Sequence, residues 1–378
     1  MEMEFCCPVL FGLEGIVADE LRYGGVARHV KAENGKIYFT GDVHTLVWAN
    51  LWLRCAERVL IRIGSFPARS FEELFEGVRD LPWEHYITKD GKFPVKGHAL
   101  NSRLHSIPDC QKIVKKAVAD RLSKTYAVQW LPEDGELYQI QFSIMKDQAE
   151  LFLDTSGAGL HKRGYRAKSN AAPLRETLAA AMVKLARYKG REAMHDIFCG
   201  SGTIPIEAAM LCCNIAPGLR RSFAAEQWQS LDSDHWRQGR LQAEEAVRHE
   251  TFPIYASDLD PACVALCREN AEKAGVAHTI AITRKDARKA EIGEKTMLLT
   301  NPPYGERLLD MESARRLYAD FGKRLAQNPA KQYILSSDEE FETYFGALAD
   351  KKRKLYNGMI KCNLFMYFKD ISFRKYTR

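Results

Sequence analysis

The sequence predicts an α/β protein in which two small α+β units precede an open, mostly parallel sheet flanked by helices. Three observations carry this. From residue 166 onward, strand-like and helix-like runs alternate, the pattern of a doubly wound sheet. The first 165 residues instead show two successive short mixed sets of strands and helices. The chain has 378 residues, and at about 100–200 residues per domain that means two or three domains. Boundaries are therefore drawn at 1–65, 66–165 and 166–378.

In the first unit, Leu13 to Tyr23 has helical apolar spacing and ends at Gly24-Gly25. Asn34-Gly35 signals a turn before a short strand, Lys36 to Thr40, and Val43 to Leu60 reads as a second helix. In the second unit, Phe71 to Val78 is a short helix and Phe93 to Gly97 a strand. Pro108 sits in the first turn of a helix capped by Ser106 or Asp109, with Ile113, Val114, Ala117, Val118 and Leu122 on one face. Tyr138 to Ile144 and Ala149 to Asp154 alternate as two strands joined near Lys146-Asp147.

In the third unit, the expected helices are Leu174 to Arg187, Thr203 to Cys213, Pro261 to Ala274 and Ser313 to Leu325. The expected strands are Ala193 to Phe198, Pro253 to Ser257, Thr279 to Thr283, Met297 to Thr300, Gln332 to Ser336 and Lys361 to Phe368. Residues 214–252, with Arg220, Arg221, Trp228 and Trp236, are long for one connection and read as a helical insertion. Lys351-Lys-Arg-Lys354 reads as a solvated turn.

Composition excludes collagen-like, mucin-like and disordered chains: apolar residues are 46% and charged residues 28%. No uncharged apolar run approaches the length of a membrane span, and Met-Glu-Met-Glu-Phe is no secretory leader. The ten cysteines fall in adjacent pairs and apolar runs, which points to reduced thiols in a cytoplasmic protein. No metal is expected, because no Cys or His pairs recur at ligand spacing. The net charge of +6 is unevenly placed. Residues 92–124 hold 8 basic and 2 acidic side chains, and residues 161–191 hold 9 and 1. These two stretches are candidate phosphate tracks, with Lys96, Lys112, Lys115, Lys116, Lys162, Arg163 and Arg166 as their candidate contacts.

Four motifs fall at four successive strand ends. Asp196-Ile-Phe-Cys-Gly-Ser-Gly-Thr203 joins a strand to a helix, and Gly200 and Gly202 allow a tight turn that a ligand can approach closely. A third glycine is missing, so this is not the dinucleotide fingerprint. In Asp258-Leu-Asp260-Pro261, Asp260 suits a helix N-cap, which leaves Asp258 as the better acceptor for ribose hydroxyls. Asp286 follows the next strand and can accept from an adenine amino group. In Asn301-Pro302-Pro303-Tyr304 the prolines hold an extended backbone. The Asn301 side chain and the Pro302 carbonyl can then both accept from one NH2 group, while the Tyr304 ring stacks on a planar base.

This order of motifs resembles the S-adenosylmethionine-dependent amino methyltransferases with a Rossmann-like fold. The resemblance implies that Gly200 and Gly202 flank the methionine part of the cofactor, next to Cys199 and Thr203. It places Asp196 at the amino end, Asp258 at the ribose and Asp286 at the adenine, and has Asn301, also at the cofactor, and Tyr304 hold the target. It also allows His161, Arg163, Tyr165 and Arg166 to line the cofactor pocket instead of meeting phosphate. A more specific match rests on His161-Lys-Arg-Gly-Tyr-Arg166, Ala172-Pro-Leu-Arg-Glu-Thr-Leu-Ala-Ala-Ala181 and Thr300-Asn-Pro-Pro-Tyr-Gly-Glu-Arg307. Phe11-Gly-Leu-Glu14, Pro108-Asp-Cys-Gln-Lys112 and the tail Lys354 to Cys362 add to it. Together they resemble the THUMP-domain-containing 23S ribosomal RNA guanine-N2 methyltransferases, in their single-module form. Ile197 stands where proline is usual in that family.

The resemblance implies a ferredoxin-like unit, a THUMP RNA-binding domain and a Rossmann-like methyltransferase domain, with S-adenosylmethionine as cofactor. Its expected substrate is a guanine N2 amine in large-subunit ribosomal RNA, with Asn301, Pro302 and Tyr304 as the catalytic group. Three other readings stay open at this point. They are a transfer RNA guanine-N2 methyltransferase, a DNA adenine-N6 methyltransferase, and a non-catalytic RNA-binding assembly factor.

Overall fold

The computed structural model describes residues 2–166, 174–304 and 310–377. Ala172-Pro173 of the second family motif and Gly305 to Arg307 of the third lie outside them, as does Lys168 of the second basic stretch. The N-terminal half runs β1 (Met3–Pro8), α1 (Glu14–Gly24), β2 (Arg28–Glu33), β3 (Lys36–Gly41), α2 (Val43–Trp52), β4 (Leu60–Pro67), α3 (Phe71–Arg79), β5 (Val95–Leu100), α4 (Ile107–Thr125), β6 (Ile140–Met145) and β7 (Gln148–Asp154). The C-terminal half continues with α5 (Glu176–Leu185), β8 (Ala193–Asp196), α6 (Thr203–Cys212), α7 (Ser233–Glu245), β9 (Ile254–Asp258), α8 (Pro261–Ala274), β10 (Ile280–Arg284), β11 (Thr296–Thr300), α9 (Met311–Leu325), β12 (Gln332–Ser336), α10 (Phe341–Phe345), β13 (Lys351–Asn357) and β14 (Ile360–Tyr367).

The described residues divide into two compact units. The first comprises residues 1–9, 18–160 and 222–242. Its seven strands form one sheet in the order β2-β3-β1-β4-β7-β6-β5. The two small units expected from the sequence thus share this sheet, because β4 pairs with β1 on one side and β7 on the other. Side chains alternate along these strands, so Phe5, Phe39, Ile61, Phe142 and Leu151 reach the core on one face, while Cys6, Leu60 and Phe152 cluster on the other. Helix α4 buries Cys110, Val114, Ala117, Val118 and Leu122 at helical spacing and leaves Lys112 and Lys116 in solvent. The expected helix Val43 to Leu60 is corrected: α2 stops at Trp52, because Leu53 turns extended and Leu60 already belongs to β4. Part of the expected insertion, residues 222–242, joins this unit. Trp228 donates from Nε1 to the Leu137 carbonyl at 2.9 Å and stacks on Tyr138 with centroids 4.9 Å apart.

The second unit comprises residues 10–17, 161–221 and 243–378. Its sheet order is β10-β9-β8-β11-β12-β14-β13. Strands β8 to β12 are mutually parallel, and β14 and β13 are antiparallel additions at one edge. From β8 the chain proceeds outward through β9 and β10, then returns to the other side of β8 for β11. The order reverses between β8 and β11, and the crevice at their carboxyl ends is where open α/β sheets bind ligands. The core under this crevice is aromatic: Tyr318 and Phe321 of α9 pack with Phe341, Phe345, Phe365 and Tyr367. The bounds of α8 coincide with expectation because both ends are chemically marked. Asp260 Oδ1 accepts from Ala262 N at 2.8 Å, and Gly275 takes φ +75° at the other end. The lysine run 351–354 is corrected from a turn to the first half of β13.

Candidate active site

A cavity of about 510 Å³ opens at the reversal between β8 and β11. It is lined by Asp196, Cys199, Gly200, Thr203, Asp258, Asp286, Asn301, Pro302 and Tyr304, among others. The residues singled out at four strand ends therefore converge on one space, together with Leu174, Cys263 and Asn357, except Gly202, which faces Cys267 and does not line it.

The glycine turn after β8 is clipped to the next strand. Gly200 N donates to Asp258 Oδ2 at 2.9 Å, Cys199 N to the Ser257 carbonyl at 3.0 Å, and buried Asn270 to the Ser201 carbonyl at 2.9 Å. Gly202 occupies the N-cap position of α6 at φ +86°, and a Cβ there would lie 2.5 Å from Cys267 Sγ. Only glycine meets both demands. Gly200, at φ +50°, faces open space instead, so a ligand can approach its backbone.

Asp258 also accepts from Asp260 N at 3.0 Å. Two backbone donors orient this carboxylate and leave further lone pairs for hydroxyl groups. Asp286 caps the short turn after β10 and is gripped by the Arg288 guanidinium, Nη2 to Oδ2 at 2.7 Å. That pairing with Arg288 holds its carboxyl below the ordinary range.

Asp196 is buried at the end of β8, where its Oδ1 accepts from Phe198 N at 3.1 Å and Thr300 Oγ1 at 2.6 Å. Burial outweighs these bonds and pushes its pKa up to about 7 from 3.8. A carboxyl raised on folding holds its proton more tightly folded than unfolded. Its contribution to stability is complete below about pH 4 and is lost as pH rises through about 7. We expect the melting temperature of the ligand-free protein to fall over that window. The fall should flatten in Asp196→Asn; an unchanged slope in the variant would assign it to other groups.

The Asn301 carboxamide lies at the end of β11 and lines the cavity. Its Oδ1 is buried and accepts no hydrogen bond among the described residues. Orphaned buried acceptors are rare, and this one belongs to a residue that lines the cavity, which makes the carboxamide a candidate for an external donor. No described residue donates to the Pro302 carbonyl beside it, whereas Tyr318 holds the Pro303 carbonyl at 3.0 Å. Two unpaired acceptors and an adjacent ring suit a planar group carrying NH2.

Asn357, at the end of β13, was not anticipated. It is buried, lines the cavity, and donates from Nδ2 to the Tyr304 hydroxyl at 3.3 Å, and the Cys362 thiol lies 3.7 Å from the same oxygen. Asn357→Ala should cost about 1 kcal/mol of coupling with Tyr304. In a double-mutant cycle on kcat/KM, it should therefore add little once Tyr304 is Phe. Full additivity would show that Asn357 does not act through that hydroxyl.

The basic candidates separate. Lys96, Lys112, Lys116 and Lys162 are exposed. Lys115 is half-buried, lies 3.9 Å over the Phe93 ring and pairs with Glu133. Arg163 is corrected: it is 3% exposed and pairs with buried Glu207, Nε to Oε1 at 3.3 Å, and Tyr165 donates to the same carboxylate. Arg166 is corrected too. It is mostly buried between Glu176, at 3.2 Å, and Thr203 Oγ1, at 2.6 Å. These two arginines tie the entry segment to α5 and α6 and present no free cation to a phosphate.

The family model described as "RMKL-like, methyltransferase domain" matches residues 163–365, more than half the chain. The chain belongs to the RMKL-like methyltransferase family. Models of the "RlmL ferredoxin-like domain" and the "THUMP domain" match residues 4–60 and 68–154. The RMKL-like chain is 42% identical to "Putative RNA methyltransferase YpsC" of Bacillus subtilis (strain 168), over 95% of its own length and 94% of that protein's. It is 34% identical to "Ribosomal RNA large subunit methyltransferase K/L" of Psychromonas ingrahamii, over 97% of itself but 50% of that protein. Thus it spans about half the length of that K/L protein. A solved structure described as "SMU.472, a putative methyltransferase complexed with SAH" superposes with a TM-score of 0.91 at 39% identity, covering 98% of both chains.

S-adenosylmethionine is the cofactor of this RMKL-like protein. The cavity fits it on the chain's own terms: an open glycine turn, oriented carboxylates at two strand ends, and an unpaired amide acceptor at a third. Among the described residues, no helix is long and apolar enough to cross a membrane.

Proposed function

We propose that this protein methylates the exocyclic N2 amine of a guanine in large-subunit ribosomal RNA. The observation that carries the reading is the buried, unpaired Asn301 Oδ1 on the wall of the cofactor cavity. The names of the relatives and the THUMP match support RNA as the substrate class.

The cofactor supplies a methyl group on a sulfonium, an excellent leaving group, so the protein's work is alignment. Asp258 binds the ribose hydroxyls, Asp286 the adenine amine, and Asp196 with the turn at Cys199, Gly200, Gly202 and Thr203 the amino-acid end. Asn301 Oδ1 and the Pro302 carbonyl accept both N–H bonds of the target amine. This sets the direction of its nitrogen and opposes delocalisation of its lone pair into the ring. Tyr304 stacks on the base, which must leave its own stack to arrive there. The proton is lost after attack, so no strong base is needed. Lys96, Lys112, Lys116 and Lys162 contact the RNA backbone in this reading, while Lys115 is held by Glu133 and Phe93, and the setting is the cytoplasm.

Methyl transfer from labelled cofactor to ribosomal RNA, transfer RNA and DNA, followed by nucleoside analysis, tests it. N2-methylguanosine in the large-subunit RNA is the expected product. Label confined to transfer RNA or appearing as N6-methyladenine would replace the substrate. No transfer to any of them would leave a binding protein.

A further inference from the structure

Two of the family motifs, Phe11-Gly-Leu-Glu14 and the tail from Lys354 to Cys362, are not used by methyl transfer apart from Asn357 and Cys362. The second unit brings them together. The Gly12 carbonyl accepts from the Arg353 guanidinium, and Gly12 N donates to the Glu14 carboxylate at 2.8 Å. Gly12 takes φ +89°, and a Cβ there would stand 3.1 Å from the Lys354 carbonyl, so glycine lets this segment lie against β13. The fastening leaves the Phe11 ring 59% exposed, edge-on to Tyr356 with centroids 6.3 Å apart. Lys354 Nζ lies 5.4 Å from the Tyr356 ring centroid. Lys351 and Lys354 are exposed and make no ion pair among the described residues. The next residue along β13 is Asn357, on the cavity wall and bonded to Tyr304.

We infer that Phe11, Tyr356 and Lys354 form a stacking platform for single-stranded RNA flanking the base held at Asn301. This rests on the RNA reading given above and extends it to the neighbouring nucleotide. A base drawn out of a strand leaves its neighbour without a stacking partner, and exposed aromatic rings replace that partner without regard to sequence. A lone exposed phenylalanine calls for no explanation. Here two rings are paired, pinned through a glycine and an arginine, with the unpaired Lys354 beside them, on the outward face of the strand whose next residue, Asn357, turns inward to the cavity wall. The unpaired Lys354 beside the rings matches a polyanion better than an apolar protein surface.

Direct binding of a fluorescent single-stranded RNA of about 12 nucleotides to the full chain tests this, measured without turnover. The double variant Phe11→Leu/Tyr356→Leu keeps apolar bulk but removes both π faces, and should bind at least about tenfold more weakly. Tyr356→Trp should stay within about twofold of wild type. Cofactor affinity and melting temperature should hold in all of them. Wild-type RNA affinity in the double leucine variant overturns the platform. So does a tryptophan variant as weak as the leucine one, because that pattern reports shape and not stacking. Since binding is read directly, wild-type failure to methylate ribosomal RNA would sink the guanine reading while leaving this result to stand or fall alone.

Discussion

Asn301→Ala is expected to lower methyl transfer by at least about 10²-fold while cofactor affinity stays near wild type. The alanine removes the buried acceptor that no described residue satisfies, and with it half of the clamp on the target amine. The Pro302 carbonyl remains, so the base would still enter, but with its nitrogen free to turn away from the line of attack. Asn301→Asp retains an acceptor oxygen at the same reach and should lose less than alanine does. Single-turnover transfer of a labelled methyl group, alongside calorimetric titration of the cofactor, separates the effects. Parallel losses of transfer and cofactor binding would place Asn301 in the cofactor pocket instead.

Arg163→Ala is expected to destabilise the fold by about 3–5 kcal/mol, because Glu207 would be left buried and unpaired. Removing both charges together, as in Arg163→Met/Glu207→Leu, should recover most of that loss. Denaturant unfolding of the two variants provides the test. Lys162→Ala, at an exposed position, should leave stability within about 0.5 kcal/mol of wild type. If Arg163→Ala instead weakened RNA binding at unchanged stability, the buried pair would be the wrong description of this arginine.

The parts of the fold that were legible share a physical cause: strong local chemistry. Asp260-Pro261 and Gly275 mark α8 at both ends, and the apolar stretch Gln332 to Ser336, wholly buried, can be little other than an interior strand. The convergence of Asp196, Asp258, Asp286 and Asn301 was legible because an open sheet places all its strand ends along one edge. The failures arise where a distant partner decides. Arg163 looks like a phosphate ligand by residue type, and its carboxylate lies 44 residues away on α6. Four consecutive cations at 351–354 look like a turn, and only pairing with β14 makes them an edge strand, with Leu355 and Asn357 turned inward. Leu53, Ala56 and Leu60 after Trp52 keep helical spacing, but Leu60 and Ile61 are claimed by strands on both sides. Asn357 lies within the tail motif Lys354 to Cys362, but nothing near it in sequence shows that it reaches Tyr304.

The strand β4 has a consequence for how this protein can be taken apart. A cut between residues 65 and 66 matches the visible change of module, yet it falls inside Leu60–Pro67. A fragment ending there would keep the β1 pairing but leave the rest of β4 with nothing on its far side. The complementary fragment would expose the full hydrogen-bonding edge of β7, including Phe152 and Leu153. Open edges of that kind recruit strands from other molecules. A fragment of either module cut there is therefore expected to need a substitute for the strand the two hold in common.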